Sequence, residues 1–556
     1  MIVMVSDQKL RKIQRAAFAG LFILLISLPA FGQRRERTVE SWKPLHYDIN
    51  LTFNEQLTEI SAARTAISLE VLKQNVTEID LDFAEMSVDS VLIAGTQARY
   101  NRTNEQLNVT LSQPANRGDK LNITINYHGK PKYGLTFAKD RDGKQSATGD
   151  NWPNRVHYWI PTLDHPSAKA TVSFTISAPQ RYQVVANGKF ITTTGNAATS
   201  LWKFEEAKPI PPYCMIVTVN EGAIINSSDK SVTNLLYNVP QRDRDYAPKG
   251  FSSAAPALAF FNQTIAPYPY EKLALIVAET QFGGMENSSA IVFANNLLVV
   301  RGSEKMSAHF GIPTRIETVV AHEIAHQWFG DSVTEATWAD LWLSEGFATY
   351  FAGLFIEKYE GDAAFQEYMR DAAERYFRYE KRSSLPIHDT TTQDLMSLLN
   401  ENNYEKGAWV LHMLRKQLGD EAFFKGLRSY YNDHREANAT TEDLRNALEK
   451  ASGKNLKQFF ARWIYGAGHP RYELTWGSME RRAVTTLQVQ LNQLQQSEPF
   501  LDPVPVEFTV NGKPERKTIY PTGKSTTITV RLSAQPTALR IDPDNTLLKE
   551  VVSLKP

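Results

Sequence analysis

The chain has 556 residues, of which 42% are hydrophobic, 11% aromatic and 22% charged. A chain of this length does not fold around one core, and the composition is that of a globular protein with several domains. Lysine plus arginine and aspartate plus glutamate each number 61, so the balanced charge gives no reason to expect nucleic acid as a partner.

The first 32 residues have the composition of a secretory signal peptide. Basic residues precede the apolar run 16–32, in which Ala30 and Gly32 have the spacing of a cleavage site. The run is short for a membrane span of about 20 residues, although an uncleaved N-terminal anchor is the alternative. We therefore expect an exported protein, periplasmic or extracellular, whose mature chain starts at Gln33 and has no membrane span.

Alternating apolar and polar residues predict an antiparallel N-terminal β domain, which we place at residues 33–235. Strands are predicted at 47–53, 65–71, 78–83, 106–112 and 121–127. Asn187-Gly188, between two apolar segments, is a β-hairpin signal. The single cysteine, Cys214, has no partner for an internal disulfide and is interpreted as a small buried apolar residue.

The hydrophobic period then changes to that of helices, which predicts a middle domain at residues 236–468. Strands around a glycine-rich turn come first, at 272–300, and the last helix starts at an N-cap, Thr440 or Thr441. Short alternating strands return after Gly466, so residues 469–556 are predicted to form a small β-sandwich. The fold class is therefore multidomain α+β.

Residues 321–330, AHEIAHQWFG, contain the pattern His322-Glu323-x-x-His326. On an α-helix, residues four apart share one face, so the two imidazoles can bind one zinc ion. Glu323 lies about 100° round the helix, where it can face a metal-bound water without being a ligand. The alternative is two solvated histidines and a glutamate that meet by chance on a surface helix.

A third ligand is available in WADLWLSEGFATY, where Glu345 follows His326 after 18 intervening residues. The first helix can end at Gly330-Asp331, and a second helical pattern starts near Ser344. Taken alone, Glu345 would be an acid in the first turn of a helix. Two histidines and one glutamate leave the fourth position of a tetrahedral zinc open, which is typical of a catalytic site. We predict one zinc ion per chain, held by His322, His326 and Glu345.

These motifs carry a resemblance to the zinc aminopeptidase family that includes aminopeptidase N and leukotriene hydrolase. That family combines H-E-x-x-H, a glutamate after 18 intervening residues, and a G-x-M-E-N loop, which here is GGMEN at 283–287. LWLSEGFATY around the third ligand and YEKG at 404–407 also match. The resemblance covers nearly all of the mature chain and implies a thermolysin-like zincin catalytic domain at 236–468.

The resemblance also implies the roles of individual residues. Glu323 would accept a proton from the zinc-bound water and deliver it to the leaving amine, while Tyr404 would stabilise the oxyanion. Glu286 would pair with the protonated α-amine of the substrate. The rest of the loop would position the peptide backbone and its first side chain, through Gly283, Gly284, Met285 and Asn287. Without the resemblance, Tyr404 would be a core or rim tyrosine and GGMEN a glycine turn.

One stretch departs from the family pattern. The family usually supplies a second amine-binding Glu or Gln from the N-terminal domain, shortly before R-x-x-x-P-x-x-D-x-P. Here His157 falls where the arginine is expected, although the prolines and the aspartate are present at 161–166. No glutamate occupies the amine-binding position, and the neighbouring candidates are Gln145, Asn151 and Trp152.

We therefore predict an exported zinc aminopeptidase that acts on peptides with a free N-terminus. A zinc endopeptidase is one alternative, but Glu286 would then have no amine to bind. An epoxide hydrolase side activity is a second, because one relative combines both activities. The third is a non-catalytic peptide-binding relative, which we would expect to have lost the base or a ligand.

Overall fold

A computed structural model describes residues 32–481 and 484–555. The predicted signal peptide, residues 1–32, lies outside the described residues apart from Gly32. The predicted fold class is confirmed: a β-rich N-terminal region is followed by a largely helical middle region and by C-terminal β-sheets. Within the described ranges, no helix combines the length and the apolar character that a membrane crossing requires.

The N-terminal region contains three sheets of eight, four and three strands. Its strands are β1 (Trp42–Phe53), β2 (Ile60–Val71), β3 (Val76–Asp82), β4 (Ser87–Ile93), β5 (Thr96–Gln97), β6 (Arg99–Arg102), β7 (Gln106–Ala115), β8 (Lys120–Gly129), β9 (Gly134–Lys139), β10 (Gln145–Asp150), β11 (Ala170–Pro179), β12 (Gln183–Ala186), β13 (Lys189–Gly195), β14 (Thr199–Ile210) and β15 (Val217–Asn220). All five predicted strands are present. Alternation works as expected in β1, where Tyr47, Ile49 and Leu51 point into the core. The pairing is mainly antiparallel, but β1 and β11 are parallel.

The hairpin signal at Asn187-Gly188 was wrong, because the two flanking strands belong to different sheets. β12 pairs with β15, whereas β13 pairs with β14. The Asn187 side chain is buried and donates to the main-chain oxygens of Cys214 and Ser288, at 2.8 and 2.7 Å. These contacts with distant segments turn the chain from one sheet to the other. They cannot be predicted from the local sequence.

The middle region contains a five-stranded sheet with the order β16-β17-β18-β20-β19 and most of the helices. In chain order its elements are β16 (Ala223–Asn226), β17 (Asn234–Val239), α1 (Ala247–Gly250), α2 (Ala254–Thr264), β18 (Lys272–Ala278), β19 (Gly284–Met285), β20 (Ala290–Ala294), α3 (Thr314–His326), β21 (Val333–Glu335), α4 (Trp342–Glu360), α5 (Asp362–Glu380), α6 (Gly407–Leu418), α7 (Asp420–His434), β22 (Ala437–Ala439), α8 (Thr441–Ser452) and α9 (Lys457–Trp463). The boundary predicted at 235/236 falls inside β17, and this sheet already begins at β16. Thr440 is the N-cap of α8, in a capping box with Asp443.

Two sheets form the C-terminal region, with the orders β27-β24-β23-β29 and β26-β25-β28. Their strands are β23 (Arg471–Arg481), β24 (Val484–Gln493), β25 (Val504–Val510), β26 (Lys513–Ile519), β27 (Ser525–Leu532), β28 (Pro536–Ile541) and β29 (Glu550–Lys555). Asn511 and Gly512 both have positive φ and close a two-residue hairpin between β25 and β26. The apolar side chains of these sheets join one core with those of the helices.

Candidate metal centre and cleft

α3 and α4 bring the three predicted ligands together at a single point. The Nε2 atoms of His322 and His326 lie 3.0 Å apart, and Glu345 Oε2 lies 3.4 and 3.3 Å from them. With bonds of 2.0–2.1 Å, ligand atoms of a tetrahedral zinc are about 3.3 Å from one another. Glu345 Oε2 is also buried without a hydrogen-bond partner. The spacing and the chemistry of these donors therefore fit a zinc ion.

Hydrogen-bonding contacts at Nδ1 fix the orientation of the His326 ring. His326 Nδ1 donates to the carbonyl oxygen of Phe329 at 3.1 Å, so its Nε2 lone pair faces the site. Ser344 Oγ, at the start of α4, lies 3.0 Å from the same nitrogen. Gly330 turns the chain between the helices at φ +125°, and a Cβ there would lie 2.4 Å from Ser344 Oγ. A side chain at position 330 would push the two helices apart.

The site gathers three carboxyl groups around two histidines. Burial opposes ionisation of Glu345, but His326 and His322 outweigh it and lower the pKa of Glu345 to about 2. Glu286, Glu323 and His326 form a second group, whose possible ligand atoms lie within 4.8 Å of one another. Three carboxylates around two imidazoles favour a bound cation.

Glu323 is buried next to the metal donors but is separate from the set of His322, His326 and Glu345. Burial raises the pKa of Glu323 well above its ordinary value against the opposing charge of His326, and Glu286 and Glu345 raise it further. A carboxyl group with a raised pKa holds a proton more readily, as a group that accepts and returns one must.

Tyr404 lies in the same cleft, on a π-helical turn at Asn402–Lys406. Its ring stacks on His322, with the ring centroids 5.9 Å apart and the planes 6° from parallel. Burial, followed by the charge of Glu345, raises the pKa of the Tyr404 phenol well above its ordinary value. The hydroxyl group therefore stays protonated and can donate a hydrogen bond.

The GGMEN loop supplies β19, which is an edge strand of the five-stranded sheet and borders the cleft. Glu286 lies on the cleft wall, and burial raises its pKa to about 7. Gly284 packs so closely on Glu323 that a Cβ would lie 2.3 Å from its Oε1. Asn287, by contrast, is fully buried and donates to the carbonyl oxygen of Met285 at 3.3 Å, so it shapes the loop from behind.

Of the three candidates for the second amine-binding position, only Trp152 lines the cleft. Its ring meets Phe282 and Trp338 edge to face, with centroid distances of 6.2 and 5.7 Å. Asn151 is buried and donates to the main-chain oxygen of Met215. Gln145 lies at the far end of β10, five residues before Asp150.

Sequence reasoning missed Asp150, which directly precedes Asn151. Asp150 is buried and accepts a hydrogen bond from the main-chain nitrogen of Gln281 at 3.1 Å, while its Oδ1 has no partner. Its charge is one of those that raise the pKa of Glu286. The N-terminal region thus supplies a buried carboxylate whose charge acts on Glu286, one position before the candidate Asn151.

Sequence reasoning also missed Gln327, which is fully buried directly after His326. Its Nε2 donates to Asp331 Oδ2 at 2.8 Å, and its Oε1 accepts from the main-chain nitrogen of Ser289 at 2.8 Å. In the sequence, only the position of Gln327 next to the predicted metal ligand His326 could have indicated its role.

The cleft has a volume of about 740 Å³. One end contains the GGMEN loop and Trp152, and the metal donors lie in the middle. The other end continues along α3 toward its N-terminus, between residues 305–308 and the facing parts of α4 and α5.

Comparison with known proteins gives two matching family profiles. The one described as "Peptidase family M1 domain" matches residues 250–463, and "Peptidase M1 N-terminal domain" matches residues 43–214. The chain is similar in fold to the crystal structure of an M1 zinc metallopeptidase from Deinococcus radiodurans. That match has a TM-score of 0.66 and 24% identity, and it covers 80% of this chain and 96% of the other.

Several curated relatives with similar sequences are named as aminopeptidases. Probable aminopeptidase 1 of Sulfurisphaera tokodaii is 26% identical over 84% of this chain and 58% of its own length. Alanine/arginine aminopeptidase of Saccharomyces cerevisiae is 27% identical over 78% of this chain and 53% of its own length. The chain thus spans little more than half the length of these relatives.

Proposed function

The chain belongs to peptidase family M1, and on that premise we propose that it is a zinc aminopeptidase that removes N-terminal residues from peptides. The observation that carries the proposal is the position of Glu286. Its carboxylate lies within 4.8 Å of ligand atoms of Glu323 and His326 but outside the donor set of His322, His326 and Glu345. A carboxylate there attracts the protonated amine of a free N-terminus.

His322, His326 and Glu345 would hold the zinc ion. When bound, zinc supplies Lewis-acid chemistry and lowers the pKa of a coordinated water to about 7. Glu323 takes a proton from the attacking water and returns it to the leaving amine nitrogen. The Tyr404 hydroxyl donates to the carbonyl oxygen as negative charge develops there.

Substrate selection is assigned to the end of the cleft that contains the GGMEN loop and Trp152. The free amine pairs with Glu286, and the unpartnered Oδ1 of Asp150 adds negative charge behind it. The open edge of β19 can pair with the peptide main chain as an added strand. Trp152, Phe282 and Met285 give the first side chain an apolar surface.

The proposal includes export, on the composition of residues 1–32. Expression of the full chain with its N-terminus, followed by N-terminal sequencing of the exported protein, should give a chain that starts at Gln33. Recovery of the full-length chain in the membrane fraction would support the uncleaved anchor.

Hydrolysis of leucine p-nitroanilide beside its N-acetylated twin tests the proposed activity. We expect chelator-sensitive cleavage of the free-amine substrate alone, with a raised KM in Glu286→Ala. Equal cleavage of the acetylated twin would indicate an endopeptidase. A zinc-loaded protein that cleaves no member of a panel of aminoacyl anilides would contradict catalysis and leave peptide binding.

A further inference from the structure

The end of the cleft farthest from the GGMEN loop is named here the far arm. It is bounded by the first half of α3, by residues 305–308 and by the facing parts of α4 and α5. Glu286 lies near His326, at the C-terminal end of α3, whereas the far arm follows α3 toward its N-terminus. A peptide whose amine pairs with Glu286 therefore places the residues after the scissile bond in the far arm.

Each lysine and arginine that lines the far arm already forms a salt bridge with a glutamate. Lys305 pairs with Glu367 at 2.8 Å, and Arg375 pairs with Glu405 at 2.7 Å. Arg315 pairs with Glu304, outside the cleft. Three acids of the arm have no salt bridge to lysine or arginine among the described residues, namely Glu317, Glu360 and Asp371. The far arm is therefore negative.

Glu317 is the acid whose surroundings most require a cation. Its side chain lines the cleft, but the residue is only 2% exposed, and its Oε1 has no hydrogen-bond partner. Burial raises its pKa to about 7, and the neighbouring charge of Glu360 adds to this effect. Contact with Ser307 offsets only part of this effect. A buried carboxylate oxygen without a partner is costly, and a cation beside it offsets that cost.

Glu360 keeps the negative charge of the pair in place. It accepts hydrogen bonds from the Ser307 hydroxyl and from the main-chain nitrogens of Ala308 and His309, the latter two at 3.1 and 2.8 Å. These donors hold the pKa of Glu360 below its ordinary value although burial opposes them. Glu317 thus faces a fixed negative charge, and among the described residues neither acid has a salt bridge to lysine or arginine.

The distance from the metal donors suits a long side chain. Glu317 precedes His322 by five residues, which corresponds to about 7.5 Å along the helix axis and about 140° around it. Lysine and arginine can span such a distance and bury their methylene groups on apolar surface. Val319 and Ile356 supply that surface in the far arm.

We propose that the far arm is a subsite for the cationic side chain of the residue that follows the scissile bond, with Glu317 as its partner. The inference rests on the proposed function, since it takes the direction of the peptide from the pairing of the amine with Glu286. The preferred substrates are peptides with lysine or arginine in second place.

Three tripeptides with the same ends, leucyl-lysyl-alanine, leucyl-glutaminyl-alanine and leucyl-glutamyl-alanine, test the subsite. In the wild type we expect kcat/KM for lysine to exceed that for glutamine by about tenfold or more. Glu317→Gln should bring this ratio close to one, and Glu317→Lys should shift the preference toward glutamate. Glu374→Gln, on the exposed part of α5, is the matched control and should keep the wild-type ratio.

For each variant, kcat/KM for the lysine peptide is divided by kcat/KM for the glutamine peptide measured with the same preparation. Zinc content and the melting temperature show whether that variant is folded. Hydrolysis of all three peptides by the wild type with ratios near one would overturn the subsite and leave the proposed function intact. A Glu317→Gln variant that is folded, active and unchanged in its ratio would also overturn it. If the wild type cleaves none of the three, the proposed function fails and this inference fails with it.

Discussion

Gln327 donates from Nε2 to the main-chain carbonyl oxygen of Glu286, at a distance of 3.1 Å. The donor directly follows the metal-site residue His326, and the acceptor belongs to the acid that we assign to the substrate amine. The same side chain accepts from the main-chain nitrogen of Ser289 at 2.8 Å. One buried amide therefore sets the position of the GGMEN loop relative to the helix that carries both histidines.

We expect Gln327→Ala to raise the KM of free-amine substrates by roughly tenfold, because loss of these hydrogen bonds costs about 1–3 kcal/mol. The variant should still bind zinc, since its histidines and Glu345 are untouched. Steady-state kinetics with leucine p-nitroanilide checks this, with the exposed Gln417→Ala as the control. A fall in kcat alone, at unchanged KM, would show that Gln327 does not position the amine subsite.

Glu345→Gln should lose the bound metal. The carboxylate supplies the anionic donor of the set, and an amide oxygen in its place has no charge to offer a divalent cation. Elemental analysis should give about one zinc per wild-type chain and far less in the variant at matched free zinc. The exposed Glu374→Gln serves as the control here too. Full zinc occupancy in Glu345→Gln would mean that Glu345 is not a ligand.

Glu323→Gln should keep zinc and lose turnover. Glutamine fills the same space but cannot accept and return a proton, so kcat should fall by roughly 10²–10⁴-fold while KM changes little. Zinc analysis of the same preparation separates this effect from loss of metal. A variant that retains wild-type kcat would require another base.

The metal centre is the part of the protein that the sequence predicts best. His322 and His326 are tied by the helical period, and Glu345 only has to lie near the start of the next helix to reach them. These are local constraints, so a pattern in the sequence carries them. The turn at Asn511-Gly512 is predictable for the same reason, because both residues supply the positive φ that a two-residue hairpin needs.

Other features depend on segments that are far apart in the sequence. Asn187-Gly188 fails as a hairpin because the Asn187 side chain bonds to Cys214 and Ser288. Glu317 resembles any acid in the first turn of a helix, and its raised pKa depends on burial and on the charge of Glu360, which is 43 residues away in the sequence. Asp150 could not be recognised because its neighbour Gln281 lies 131 residues further on.

His412 should make stability depend on pH. It is fully buried, donates from Nε2 to the main-chain oxygen of Asn545 at 3.3 Å, and accepts at Nδ1 from the Tyr350 hydroxyl at 3.2 Å. Burial, with a smaller effect of Lys416, lowers the pKa of His412 to about 3. Between that value and the ordinary pKa of about 6.5, the unfolded chain binds a proton that the folded chain does not.

This residue should therefore remove roughly 1.4 kcal/mol of stability for each pH unit below about 6. Thermal unfolding between pH 7 and pH 4 measures the slope, which should be smaller in His412→Gln than in the wild type. The exposed Gln417→Ala, which changes no titratable group, should keep the wild-type slope. Equal slopes in all three proteins would show that His412 does not contribute.

Glu286 is proposed to restrict this zinc peptidase to free N-termini. The most direct measurement is mass spectrometry of a ten-residue peptide and its N-acetylated twin after incubation with the zinc-loaded full chain. We predict a ladder of products that loses residues from the N-terminus of the free peptide, no product from the acetylated twin, and a strongly slowed ladder in Glu286→Ala. Internal cleavage of both peptides at equal rates would show that Glu286 does not select a free N-terminus.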